Sequence, residues 1–183
     1  IRTAAGLYFR RSWCDVVDAI PSDCDLVRYW DLAATEKTEA NDPDWTVGIK
    51  MGYSPSTRKY YVCHAVRIRA GAFAVETAIK NTAAQDGIRV KIRLPQDPGQ
   101  AGKSQAQSLI SMLAGYTVTA RSERGDKITR FGPFSAQCEA GNVAFLRGNW
   151  TEDVFDSLEM FGPDAKHDDD ADACAGAFGA FVT

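Results

Sequence analysis

Residues Ile88 to Leu94 alternate without a break, with Ile88, Val90, Ile92 and Leu94 on one side and Arg89, Lys91 and Arg93 on the other. A period of two predicts a strand with one apolar and one basic face. The turn Pro95-Gln96-Asp97-Pro98-Gly99 follows at once, and Gln100 to Leu113 then repeats Ala106, Leu109, Ile110 and Leu113 as the inner stripe of a helix. Strand, turn and helix in that order predict an α/β domain, in which ligand groups gather where strands end. Asp97 stands at such an end.

The flanking sequence extends the pattern. Leu26 to Ala33 predicts a strand with Leu26, Arg28 and Trp30 on one face and Val27, Tyr29 and Asp31 on the other. After a polar loop, Thr35 to Asp44, the segments Trp45 to Tyr53 and Lys59 to Arg69 read as hairpin strands joined by the turn Ser54 to Thr57. Ala70 to Gln85 reads as a helix stopped by Gly87, and Tyr116 to Ala120 as another strand. A basic loop and the segment Phe131 to Ala136 lead to Val143 to Leu146, before a short helix over Thr151 to Met160 and a helical tail over Lys166 to Val182. Strands first, then alternating helix and strand, predict a mixed sheet.

With 183 residues and 45% hydrophobic composition, the chain is long enough for one domain with its own core. No apolar run approaches the ~20 residues needed to cross a bilayer, and the opening lacks the apolar core of a signal peptide. The absence of an initial methionine suggests a soluble piece of a longer protein. Five cysteines without a CxxC pair predict reduced thiols, and two histidines, His64 and His167, leave little for a zinc site. The net charge of −3 provides no global attraction for nucleic acid. Basic residues are instead local: Arg89, Lys91 and Arg93, then Arg121, Arg124, Lys127, Arg130 and Arg147. They suit the flanks of a phosphodiester-cleaving centre, and read equally as a mixed solvated surface.

The acids are more telling. Asp31, Asp97 and the tail cluster Asp168, Asp169, Asp170 and Asp172 lie far apart in sequence, each where a strand or helix can aim it at one point. Two carboxylates about 4 Å apart repel by roughly 4 kcal/mol at an effective dielectric of about 20, so a site gathering three needs cations. Oxygen donors favour magnesium or manganese. Each acid also has a plainer reading: Asp31 as a strand-end cap, and Asp168 to Asp170 as caps complementing a helix dipole. Capping does not account for Asp172, one turn inside the helix. On that helix Ala171, Cys174, Phe178 and Phe181 share a stripe, while the acidic side continues into Gly176 and Gly179, which suggests close packing against the strand bearing Asp31. Asp44 reads as a turn residue or a support for the site, and His167 as a surface residue or an orienting group. The stretch GQAGKS falls short of a phosphate-binding loop, because Asp97 stands five residues before Gly102 where that pattern needs glycine. Lys103 remains available to a DNA phosphate.

Taken in order, Arg28 to Ala33 (RYWDLA), Pro95 to Ser104 (PQDPGQAGKS), Lys127 to Ala136 (KITRFGPFSA) and His167 to Ala173 (HDDDADA) resemble the C-terminal nuclease domain of the large terminase subunit of tailed bacteriophages. The resemblance runs from Cys24 to the end, making 24–183 the nuclease domain and 1–23 a junction and the start of the domain. It implies a ribonuclease H-like fold, with a central mixed sheet of about five or more strands, the first three antiparallel, and helices on both faces. It implies a metal-dependent endonuclease that cuts concatemeric double-stranded viral DNA during genome packaging with little sequence specificity. Carried over by position, Asp31, Asp97 and Asp169 are the catalytic ligands, assisted by Asp168 and Asp172, while Asp170 points to solvent. Two Mg²⁺ or Mn²⁺ ions, bridged by Asp31, would drive hydrolysis. Lys103, Arg124, Lys127 and Arg130 would meet DNA. The implied partners are an ATPase domain in the same polypeptide, the portal protein and the small terminase subunit, with no membrane. The implied location is the host-cell cytoplasm and, transiently, the procapsid portal.

Other enzymes of this fold, a Holliday-junction resolvase or a transposase-like enzyme, fit the same acids. So does a non-catalytic DNA-binding or docking module with a structural metal. Preference for branched DNA, strand joining, or metal stabilisation without cleavage would separate them.

Overall fold

The computed structural model describes residues 6–33, 45–166 and 168–182. The polar loop from Thr35 to Asp44 lies outside the described residues. Seven strands form one mixed sheet: β1 (Asp15–Val17), β2 (Asp25–Asp31), β3 (Thr46–Ser54), β4 (Lys59–Ile68), β5 (Lys91–Pro95), β6 (Val118–Arg121) and β7 (Val143–Leu146). Their order across the sheet is β1-β7-β4-β3-β2-β5-β6. The meander β2-β3-β4 is antiparallel, and β5 and β6 add parallel to β2. On the far side β7 joins β4 in parallel and β1 joins β7, so Asp15–Val17, ahead of Cys24, belong to the same sheet.

Five helices cover the sheet: α1 (Ala72–Asp86), α2 (Gln100–Met112), α3 (Lys127–Glu139), α4 (Thr151–Glu159) and α5 (Asp169–Val182). The alternation in β2 sorts the two cores as expected. Val27 and Tyr29 enter the larger core with Phe131 and Phe134 of α3, Phe155 of α4 and Phe178 of α5. Trp30 enters the other, with Ile79 of α1 and Leu109 of α2. No helix among the described residues is long and apolar enough to cross a membrane.

Three local expectations need correction. The strand expected from Ile88 begins at Lys91, and Ile88 is 75% exposed in the turn after Gly87. Ile110 is likewise exposed, while Ala106, Leu109 and Leu113 are buried. The end of the basic loop, from Lys127, and the segment from Phe131 are in fact one helix, α3, with Pro133 inside it. Gly132-Pro133 reads locally as a breaker, yet Asp126 caps the helix by accepting a hydrogen bond from the Thr129 N–H, and burial of Phe131, Phe134 and Cys138 holds it. Tertiary packing here overrides propensity.

Arg28 is fully buried although it carries a charge. Its Nε and Nη2 donate to both oxygens of Asp86 at 2.8 Å, Nη1 donates to the Gly48 carbonyl, and Nη2 lies 3.0 Å from His64 Nδ1. Burial and the neighbouring Arg28 push the His64 imidazole down to about 4, so it sits neutral and accepts at Nδ1. This cluster locks β2, β3, β4 and the end of α1 together.

Candidate active site

β2, β5 and β6 run parallel, so their C-terminal ends share one edge of the sheet. Asp31 is the last residue of β2, Asp97 follows the end of β5, and Glu123 follows the end of β6. The N-terminus of α5 meets the same edge and brings Asp169 and Asp172. A cleft of about 370 Å³ is lined by Asp31, Asp97, Glu123, Asp169 and Asp172 together with Lys127 and Arg130. Ligand groups beyond the carboxyl ends of parallel strands are the general rule for such sheets.

Glycine sets two of the approaches. A Cβ on Gly176 would overlap the ring of Tyr29, so α5 lies directly on β2 two residues before Asp31. A Cβ on Gly102 would overlap the carbonyl of Asp97, so α2 packs onto the backbone of the loop that carries this acid. The glycine in GQAGKS therefore serves helix-to-loop packing. Gly179 is different, since a Cβ there would meet nothing within 4 Å.

The acids occupy distinct environments. Asp31 is pushed up to about 9, first by burial and then by the charges of Asp172 and Asp169. Glu123 is pushed up to about 7 by burial and by Asp172, and accepts hydrogen bonds from the Tyr29 hydroxyl and from Arg130. Burial also raises Asp172. Asp97 is exposed at the mouth of the cleft. Asp169 is nearly buried and accepts a hydrogen bond from the Trp45 N–H at 3.1 Å. The Trp45 ring in turn lies beneath the guanidinium groups of Arg67 and Arg69, at 4.9 and 4.6 Å. Asp168 begins the helix, its carbonyl accepting from the Asp172 N–H, and its carboxylate takes Lys127 Nζ at 2.7 Å. Lys127 also reaches Asp172 at 3.1 Å. Burial disfavours the Lys127 charge, but the hydrogen bonds to Asp168 and Asp172 outweigh it and hold the ammonium protonated above its usual range.

Asp170 does not face solvent as expected. It is 3% exposed, and Arg67 Nε and Nη2 donate to its two oxygens at 2.9 and 3.1 Å. On α5 it shares a face with Ala173, Cys174 and Ala177, all buried, so the residue lies inward and needs a partner there. Lys103 and Arg124 are exposed and do not line the cleft, whereas Lys127 and Arg130 do. Asp44 and His167 lie outside the described residues. Sequence reasoning missed Glu123. The signal was available, because the strand ending near Ala120 runs directly into this acid, as the preceding strand runs into Asp97.

The donor set fits hard divalent cations. Every candidate ligand in the cleft is a carboxylate oxygen, and Asp31 stays raised to about 9 even with the Lys127 ammonium nearby, so further positive charge is needed to ionise it at neutral pH. Among the described residues no three His, Cys, Asp or Glu side chains stand close enough to form a finished ion cage. The carboxylates of Asp168 and Asp172 are drawn to Lys127 instead.

No curated protein sequence matches the chain. Its fold is similar to the large terminase nuclease domain of P22, with a TM-score of 0.66 at 10% identity over 94% of this chain and 91% of that one. The large terminase nuclease from thermophilic phage G20c with bound magnesium gives 0.60 at 12% identity, over 96% and 97%. The human cytomegalovirus terminase nuclease domain, soaked with manganese and bound to an inhibitor, gives 0.62 at 14% identity, over 86% and 84%. These likenesses identify a ribonuclease H-like fold. A family model supplies what fold alone does not, matching the sequence over residues 28–180, and the chain belongs to the terminase RNaseH-like domain family.

Proposed function

We propose that this domain is a divalent-metal-dependent endonuclease that hydrolyses phosphodiester bonds in concatemeric double-stranded viral DNA, with little sequence specificity, during genome packaging. The observation that carries this reading is the convergence of Asp31, Asp97, Asp169 and Asp172 on one cleft from three separate places in the fold: the end of β2, the loop after β5 and the start of α5. The metal-bound relatives support the choice of cation, Mg²⁺ or Mn²⁺, and two ions suit a site with this many acids.

When bound, such ions lower the pKa of a water nucleophile and stabilise the leaving 3′ oxygen. The protein's own groups do the rest. Asp31, Asp97 and Asp169 would hold the cations, with Asp168 and Asp172 assisting. Trp45 fixes Asp169 through its backbone N–H. Lys127 and Arg130, which pair with Asp168 and Asp172 and line the cleft, are placed to meet backbone phosphates. Contacts of this kind ignore base sequence. In this reading the domain works beside an ATPase in the same polypeptide, at the portal vertex and with the small terminase subunit, in the host-cell cytoplasm.

The test is cleavage of supercoiled plasmid with Mg²⁺, Mn²⁺ or EDTA by the native chain and by Asp97→Asn. Metal-dependent cutting that vanishes in the variant is expected. Cutting that persists in EDTA, or is equal in Asp97→Asn, overturns the assignment.

A further inference from the structure

On the α5 side of the sheet, coverage is uneven. α5 packs on β2 and β3, and α3 and α4 extend that layer toward β7 and β4. The same side of β5 and β6 carries Lys91, Arg93, Thr119 and Arg121. Between this strip and α5 lies a cavity of about 320 Å³, with Arg93, Arg121 and Arg130 on its rim and Pro133, Phe178 and Gly176 among its floor. Among the described residues that line it, Glu123 is the carboxylate, and it is already bound to Arg130 and Tyr29. Glu123 and Arg130 also line the acidic cleft, so the two depressions share a wall. Away from the cleft, a second depression of about 210 Å³ continues the groove past Arg93 and Lys91 to Thr119, with Asp25 at its far end.

Charge decides what fits here. In a chain of net charge −3, this groove gathers Lys91, Arg93, Arg121 and Arg130 along one line that starts at the cleft. Arg93 is partly desolvated and repelled by Arg121, which lowers its pKa, and the negative charge of a polyanion lying over the pair would offset that repulsion. A string of phosphates matches such a row, because backbone contacts need positive charge at intervals and no base-specific donors.

We propose that the exposed β5–β6 face beside α5 is a track for the backbone of one DNA strand running into the acidic cleft, with Arg93 and Arg121 as its phosphate contacts. The track rests on the reading of the cleft as a DNA-cutting site. It assigns substrate positioning to Arg93 and Arg121, which do not line the acidic cleft.

The experiment measures binding of a labelled duplex by fluorescence anisotropy in EDTA across a salt series. It compares the native chain, Arg121→Gln, Arg93→Gln/Arg121→Gln, and the control Arg58→Gln/Lys80→Gln, which removes two charges elsewhere on the surface. The double variant should bind at least fivefold more weakly, and its slope of log affinity against log salt should shrink by about 2, with about half that change for Arg121→Gln alone. Its thermal stabilisation by Mg²⁺ should match the native chain's. Plasmid cleavage by the double variant should lose activity through KM more than through kcat. Equal binding by native and double-variant protein, or an equal loss in the control, overturns the track while leaving the nuclease reading intact. A native chain that neither binds nor cuts DNA in any metal overturns both.

Discussion

Gly176 lies so close to the ring of Tyr29 that a methyl group in its place would overlap Cε1, Cζ and Cε2. This contact fixes the depth at which α5 sits on β2, and with it the separation between Asp172 and Asp31. Alanine gains about 1 kcal/mol over glycine in a helix, but overpacking against a buried ring costs about 1–3 kcal/mol. Gly176→Ala should therefore lower unfolding stability by about 1 kcal/mol and impair cutting, whereas Gly179→Ala, with open space around its Cβ, should raise stability and leave cutting unchanged. Urea denaturation and plasmid cleavage of both variants check this, and a stabilised Gly176→Ala would contradict the packing argument.

Asp31 should make the metal-free domain less stable as pH rises. Its folded pKa of about 9 lies above the ordinary 3.8, so between these values the folded state holds a proton that the unfolded chain releases. Stability that is complete below about pH 4 is then lost progressively toward pH 9. Glu123, raised to about 7, acts in the same direction. Melting in EDTA from pH 5 to 9 should show a falling Tm, flatter in Asp31→Asn and flatter in the native chain with Mg²⁺. Asp31→Asn should also abolish cutting. Identical slopes for native protein and variant would exclude Asp31 as the source.

On the acid side, His64 works in the opposite sense. Its folded pKa of about 4 lies below the ordinary 6.5, so the unfolded chain binds the extra proton between these values and stability falls as pH drops through that window. His64→Gln retains an oxygen able to accept from Arg28 without taking up a proton. Its Tm should decline less than the native value between pH 6.5 and 4, and an unchanged acid limb would refute the assignment.

Removing Asp170 should be far more costly than removing its exposed neighbour in the same network. Asp170→Ala strands Arg67 against a largely dry surface and should cost about 3 kcal/mol, while also loosening Trp45, which holds Asp169. Asp153 meets Arg67 only at 3.8 Å and is 67% exposed, so Asp153→Ala should change stability by less than about 0.5 kcal/mol. Equal effects from the two would show that the buried pair contributes nothing special.

The strands from β2 onward and the division of the core were legible because alternation is a local signal, whereas the short β1 and the order of strands across the sheet were not. In β2 it sorted Val27 and Tyr29 from Trp30 correctly. Helix α3 was not legible, since Gly132-Pro133 reads as a break and only the burial of Phe131 and Phe134 reveals the helix. Asp31, Asp97, Asp169 and Asp172 could be singled out as acids at element ends, and the structure brings them to one cleft. Glu123 was hidden among basic residues, and the partners of Arg28 and Asp170 lie 58 and 103 positions away, a pairing that no local pattern reports.

The lining acids of the cleft span the chain from Asp31 to Asp172, and the last of them lie on the final helix. A ribosome-bound chain that has emerged only as far as β7 possesses three strands of the meander and two of the lining carboxylate loops, yet lacks Asp169 and Asp172. Arming therefore waits for α5: only its docking onto β2 adds Asp169 and Asp172 to the acids that β2, β5 and β6 already hold, and a fragment that stops before α5 lacks the full constellation of charge.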